Sequence, residues 1–199
     1  SPITFVASAN CGRFCGADID FVDIDPSTGL LCLDSLKVKL READANRSLP
    51  KIIVPVHLAG TSCAMDEIAN LVKPYGISIL EDASHAVGAF YEGQPVGCCR
   101  YSDASVFSFH PVKIITSGEG GVLTTNDRQI AERVRLLRSH GITKDESQFK
   151  FQSVGPWSYE QQELGFNYRL TDIHAALGLS QLSRLQSIVD ERNRLWNRY

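Results

Sequence analysis

Short apolar, β-branched runs alternate with stretches of helical period along most of this 199-residue chain, and that alternation limits the fold more than any other feature. The runs are Thr4-Phe5-Val6, Ile19 to Ile24, Ile52 to Val56, Ile77 to Leu80, Ala104 to Phe109 and Gly121 to Thr125. Each has the length of a strand. Between several of them, Leu33, Leu36 and Leu40, then Met65, Ile68 and Val72, then Ile130, Val134 and Leu137 recur at spacings that share one helix face. Strands joined through helices return in the same direction, so the pattern predicts an α/β protein with a mostly parallel sheet and helices on both of its faces. Asn126 is the predicted N-cap of the helix after the last run, with Asp127 in its first turn, and Lys73-Pro74 with Gly76 closes the helix before Ile77.

From Thr171-Asp172 onward, Leu182, Leu185, Val189 and Trp196 keep one helical face, which predicts a single long helix running to the end of the chain. The arginines along it read as a solvated face. The segment Lys144 to Glu163 has no period and reads as a long loop, the kind of loop that in a compact enzyme often carries function. Hydrophobic residues make up 43% of the chain, enough for the core of one domain. The net charge of -3 is small and the charges are mixed, which argues against nucleic acid and membrane partners. No apolar stretch approaches the roughly 20 residues that span a bilayer, and no signal-peptide progression opens the chain, so a cytoplasmic protein is expected. Six cysteines form no pair of C-x-x-C units, so they read as reduced thiols and no metal site is expected.

The chemistry concentrates where apolar runs end. Ile77-Ser78-Ile79-Leu80 leads into Glu81-Asp82-Ala83-Ser84-His85, and Ala104 to Phe109 leads into His110-Pro111-Val112-Lys113 and a glycine-rich turn, Gly118-Glu119-Gly120-Gly121. Ligands of parallel α/β sheets gather outside the carboxyl ends of the strands, so Asp82, His85, Ser108 and Lys113 are expected to share one crevice. An amine, a lone carboxylate and a hydroxyl beside a glycine turn suit pyridoxal 5'-phosphate (PLP): a group to join the aldehyde, a partner for the pyridine nitrogen and a donor to the phosphate. The glycines are not a P-loop, because the Gly-Lys-Ser ending is missing.

Five motifs, in order, resemble the DegT/DnrJ/EryC1/StrS family of sugar aminotransferases. They are Glu81 to His85, Ser108 to Lys113, Thr116 to Gly121, Arg138-Ser139-His140-Gly141 and Gly165 to Asp172. The resemblance covers nearly the whole chain. It implies the large domain of a fold type I PLP enzyme, like aspartate aminotransferase, with a seven-stranded sheet lacking one strand and incomplete at both ends. Residues 1–170 would be the central part of that PLP-binding domain, and 171–199 the start of the long helix leading to a C-terminal small domain that lies outside this sequence.

The same resemblance implies roles. Lys113 matches the lysine that carries PLP as a Schiff base and then shuttles a proton, with pyridoxamine phosphate (PMP) as the intermediate cofactor form. Asp82 matches the aspartate facing the pyridine nitrogen, His85 the residue beside the phenolic oxygen and Ser108 a phosphate donor. Asn167 resembles the asparagine that reaches the phosphate of a neighbouring subunit, which implies a homodimer with shared active sites. His57 and His110 are candidates for substrate contact. The activity implied is transfer of an amino group from L-glutamate to the 4-keto carbon of a UDP-linked 4-keto-6-deoxy-N-acetylhexosamine, the pseudaminic acid type of nucleotide-sugar biosynthesis. The alternatives are a dehydratase of the same family, which typically has histidine where this chain has Lys113, and a non-catalytic module that keeps the fold.

Overall fold

The computed structural model describes residues 1–199. In chain order the elements are α1 (Ala7–Phe14), α2 (Leu33–Ala45), β1 (Ile52–Ile53), α3 (Met65–Val72), β2 (Ser78–Asp82), β3 (Phe90–Tyr91), β4 (Gln94–Pro95), β5 (Ala104–Ser108), β6 (Gly121–Thr124), α4 (Arg128–Leu137), β7 (Ile142–Thr143), β8 (Glu160–Gln161), α5 (Asp172–Leu182) and α6 (Leu185–Trp196). The central sheet has the order β1-β2-β5-β6. β1, β2 and β5 run parallel, and β6 returns antiparallel beside β5 with Ser108 opposite Gly121. This is the mostly parallel α/β sheet that the alternation predicts. β3 with β4, and β7 with β8, form two small separate ladders.

Four of the six predicted runs become strands of that sheet. Thr4-Phe5-Val6 does not: the Ser8 and Ala9 amides return to the Phe5 and Val6 carbonyls and start α1 instead. Ile19 to Ile24 is extended, but its one ladder contact is an isolated bridge from Ile24 to Leu31. A run of alternating apolar residues specifies an extended backbone and leaves the partner edge unspecified. Beyond β1, the chain stays beside β2 through an isolated bridge from Val56 to Asp82.

The core sits on one face of the sheet. Leu36 and Leu40 of α2 and Met65, Ile68, Ala69 and Val72 of α3 pack with Ile77 and Ile79. The i, i+3, i+4, i+7 spacing in α3 places its four buried residues on one side. Ile68 and Val72 have no exposure at all, and each such burial is worth about 2 kcal/mol. By contrast, α1, α4, α5 and α6 bury no residue.

Two helix boundaries differ from expectation. The N-cap of α4 is Asp127, whose carboxylate accepts from the Gln129 and Ile130 amides, while the Asn126 side chain donates to the Cys98 and Cys99 carbonyls. The single helix expected over 171–199 is two helices, broken at Ser183-Arg184. There the Arg184 amide bonds to Gln181 rather than one residue further back, and the Ser183 and Ser187 hydroxyls bond to the Ser180 and Arg184 carbonyls. Serine back-bonding of this kind bends helices, and the apolar spacing runs on across the bend without marking it. No helix is long and apolar enough to cross a membrane.

Candidate active site

β2 ends on two adjacent carboxylates that the pleat sends to opposite faces. Glu81 points back under the sheet, where it is 5% exposed. Its Oε2 lies 2.7 Å from His57 Nε2, and its other oxygen accepts from the Ser102 hydroxyl. Asp82 points the other way and is only partly buried. Its carbonyl accepts from the His57 amide and its amide donates to Pro55, so the strand end is fixed by β1's extension.

The Asp82 carboxylate has two donors. Ser8 Oγ of α1 donates to Oδ2 at 2.5 Å, and the Ser84 amide donates to Oδ1 at 3.1 Å. Burial alone would raise its pKa, but Ser8, Ser84 and the nearby His85 together hold it below the ordinary carboxylate value. Asp82 is therefore a carboxylate at neutral pH.

His85 follows on the turn after β2. Its Nδ1 accepts the Ala59 amide at 3.3 Å, which leaves Nε2 as the protonated nitrogen of the neutral ring. That amide is presented by a left-handed backbone: Ala59 has φ of 54° and Gly60 φ of 90°. A Cβ at residue 60 would lie 2.9 Å from the His85 carbonyl, so only glycine fits there. Burial lowers the His85 pKa, and the positive charge of Lys113 lowers it further against the opposite pull of Asp82.

Lys113 is half-buried in the turn that follows β5, with its amide bonded to the His110 carbonyl. Behind it the backbone reverses through Thr116, whose hydroxyl donates to the Phe109 carbonyl and accepts from the Gly118 amide. Gly118 takes φ of 84°, and a Cβ at Gly120 would fall 2.7 Å from a Leu170 methyl, so this turn packs tightly against the approach to α5. The glycines thus let the chain close behind the lysine.

The parallel strand ends therefore bring Asp82, His85, Ser108 and Lys113 to one edge of the sheet. Ser108, the last residue of β5, lies two residues beyond Val106, the partner of Asp82 across the ladder. Its Oγ accepts weakly from the His110 amide at 3.4 Å, which leaves the hydroxyl hydrogen available.

The other candidates fall elsewhere. His57 has no exposure, and both ring nitrogens are engaged, one by Glu81 and one by the Cys63 amide. It cannot touch a substrate, which corrects the expectation from its strand-end position; the Cys63 loop folds over it. His110 is exposed, with Nδ1 accepting from the Val112 amide and Nε2 3.8 Å from Glu119. Asn167 sits on an exposed segment bridged to Ser139, and its side chain makes no hydrogen bond within this chain. A cleft of about 350 Å³ lies among Phe149, Phe151, Trp157 and Tyr159 in the long loop and includes none of these residues. Sequence reasoning missed Ser8, which no local motif connects to Asp82.

An amine, an ionised carboxylate and a hydroxyl thus lie at the carboxyl ends of a mostly parallel α/β sheet, where ligands of such sheets gather. The chain belongs to the DegT/DnrJ/EryC1/StrS aminotransferase family, whose sequence profile matches residues 1–199. It is 40% identical over 199 residues to the UDP-4-amino-4,6-dideoxy-N-acetyl-beta-L-altrosamine transaminase of Campylobacter jejuni subsp. jejuni serotype O:2, covering 100% of this chain and 49% of that protein. Among solved structures it matches Helicobacter pylori PseC, an aminotransferase involved in pseudoaminic acid biosynthesis, with a TM-score of 0.78 and 35% identity over 94% of this chain and 45% of that one. It also matches the putative sugar aminotransferase Spr1654 from Streptococcus pneumoniae in its PMP form, with a TM-score of 0.82 and 32% identity over 98% of this chain and 52% of that one. The chain spans about half the length of the curated relatives it matches.

Proposed function

We propose that the protein containing this chain is a PLP-dependent aminotransferase that moves the amino group of L-glutamate to the 4-keto carbon of a UDP-linked 4-keto-6-deoxy-N-acetylhexosamine. The observation that carries the reading is the gathering of Lys113, Asp82, His85 and Ser108 at one sheet edge. The donor set fits PLP: Lys113 offers the amine, Asp82 a fixed negative charge, and Ser108 a free hydroxyl for the phosphate. When bound, PLP supplies a pyridine ring that takes up the electron pair released at a substrate carbon.

The side chains have distinct tasks in this reading. Asp82, kept ionised by its two donors, stabilises a positive charge on the ring nitrogen. Neutral His85 offers Nε2–H as a donor. Lys113 Nζ takes a proton from one carbon and returns it to another, which asks for an amine that can lose its charge in the site. Ser108 supplies one donor to a dianion that wants several. The exposed Asn167 supplies another across a two-fold dimer, so that each site is completed by the partner subunit. The substrate sugar is read from the C. jejuni and H. pylori relatives, and the setting is cytoplasmic.

The test is direct. The full-length protein, mixed with PLP, is expected to develop a visible absorbance band that glutamate bleaches and that a 4-keto sugar nucleotide restores. A screen of UDP-, GDP- and TDP-linked keto sugars identifies the acceptor. No band with PLP, or a band indifferent to glutamate, overturns the reading.

A further inference from the structure

We infer that Ser8 is a positioning residue for Asp82: its hydroxyl orients the carboxylate at the strand end where the ring nitrogen of the cofactor is to lie. This rests on the function proposed above. At 2.5 Å, the Ser8 Oγ to Asp82 Oδ2 contact is at the short end for a hydroxyl donating to a carboxylate. An ionised carboxylate only accepts, so Ser8 is the donor. Thr4 Oγ1 lies 3.3 Å from Ser8 Oγ, and with the Ser8 hydrogen committed to Asp82 it is Thr4 that donates to Ser8. The result is a directed relay, Thr4 to Ser8 to Asp82, that holds the hydroxyl in one rotamer.

The two oxygens of Asp82 are thus held from two separate elements, Oδ2 from α1 and Oδ1 from the turn at Ser84. Two donors in different directions fix the plane of the carboxylate as well as its place. The titratable group facing Asp82 is His85 on that turn, with Lys113 acting on His85. Among the influences that keep Asp82 ionised against its burial, the Ser8 hydroxyl is the largest. Without it, burial is opposed by fewer donors and Oδ2 loses the bond that orients it.

A purely structural role is the competing explanation, because α1 buries no residue and this bond ties it to the sheet. The two roles separate in the titration of Asp82. In the full-length protein free of PLP, with selectively 13C-labelled aspartate and Asp82→Asn for assignment, Ser8→Ala is expected to move the Asp82 carboxyl titration upward and Ser8→Thr to restore it. In the loaded enzyme, Ser8→Ala is expected to slow the glutamate half-reaction about tenfold with little change in KM, the size of one charge-assisted hydrogen bond. Ser8→Cys, which keeps the volume but donates weakly, is expected to fall between and serves if Ser8→Ala loses its fold. An unmoved Asp82 titration, or a Ser8→Ala rate equal to the parent, overturns the proposal. A parent that takes up no PLP overturns the function and with it the catalytic half of this inference, while the titration still decides the contact.

Discussion

His57 Nε2 lies 2.7 Å from Glu81 Oε2, and the two side chains are 0% and 6% exposed. Burial works against a charged His57 ring while the Cys63 and Glu81 side chains work for one. The Cys63 amide nevertheless aims its hydrogen at Nδ1 at 3.2 Å, and only a nitrogen without a proton accepts it. The amide geometry decides the matter in favour of a neutral ring that donates from Nε2 to Glu81 Oε2. Directly above this pair, the His57 amide holds the Asp82 carbonyl, so the buried pair is the footing of the site.

Removing one partner of a buried, hydrogen-bonded pair leaves the other unsatisfied. Glu81→Ala is therefore expected to cost the full-length protein about 1–3 kcal/mol in denaturant unfolding. Glu81→Gln keeps an acceptor for His57 Nε2 and is expected to cost distinctly less. Equal losses for the two variants would mean that packing, rather than the pair, holds this end of β2.

Lys113 is the amine at the strand ends, so borohydride reduction of the PLP-loaded protein is expected to fix the cofactor on Lys113 alone. Lys113→Ala is expected to lose the visible band. Peptide mapping decides it: a label on Lys51, Lys73 or Lys144 would put the site elsewhere.

Much of this arrangement was legible before any coordinates. β2, β5 and β6 lie in short apolar runs, and residues at the ends of parallel strands share one end of the sheet whatever the loops do, which is why Asp82, Ser108 and the turns carrying His85 and Lys113 could be placed there from sequence. Other features needed the third dimension. The Ser8 contact joins residues 74 apart, a distance over which no periodicity speaks. His57 looked accessible because its strand-end position says nothing about the Cys63 loop that covers it. Thr4-Phe5-Val6 has strand composition but no edge to pair with, and the bend at Ser183-Arg184 interrupts a helix whose apolar spacing continues across it.

Asp82→Asn removes the charge expected at the ring nitrogen while keeping the shape. The half-reaction with glutamate is expected to slow by orders of magnitude, each factor of ten being about 1.4 kcal/mol of barrier, with the cofactor still bound. The stability difference has a sign fixed by linkage. The folded Asp82 pKa lies below its ordinary value of 3.8, so its contribution is full above that value and is lost as pH falls through the folded pKa. The gap in unfolding free energy between parent and Asp82→Asn is therefore expected to hold steady at neutral pH and shrink in acid. A gap that widens on acidification contradicts the assignment, as does a half-reaction within a factor of about three of the parent.

Asn167 is exposed and its side chain is unengaged within its own chain, as a residue that serves a partner's site would be. If it completes the neighbouring site, Lys113→Ala and Asn167→Ala protomers are each impaired as homodimers, for different reasons. Mixed and refolded together, they form heterodimers in which one site pairs an intact Lys113 with the partner subunit's intact Asn167, and the other site lacks both. Random pairing then restores roughly one quarter of the parental sites. If Asn167 instead served its own protomer's site, every site in the heterodimer would lack one residue and nothing would be recovered. Activity in the mixture, scored beside a sedimentation measurement that shows heterodimers present, separates the two. Recovery near a quarter of the parent fits the shared site; heterodimers without recovery, or an active monomer, return Asn167 to the role of an ordinary turn residue.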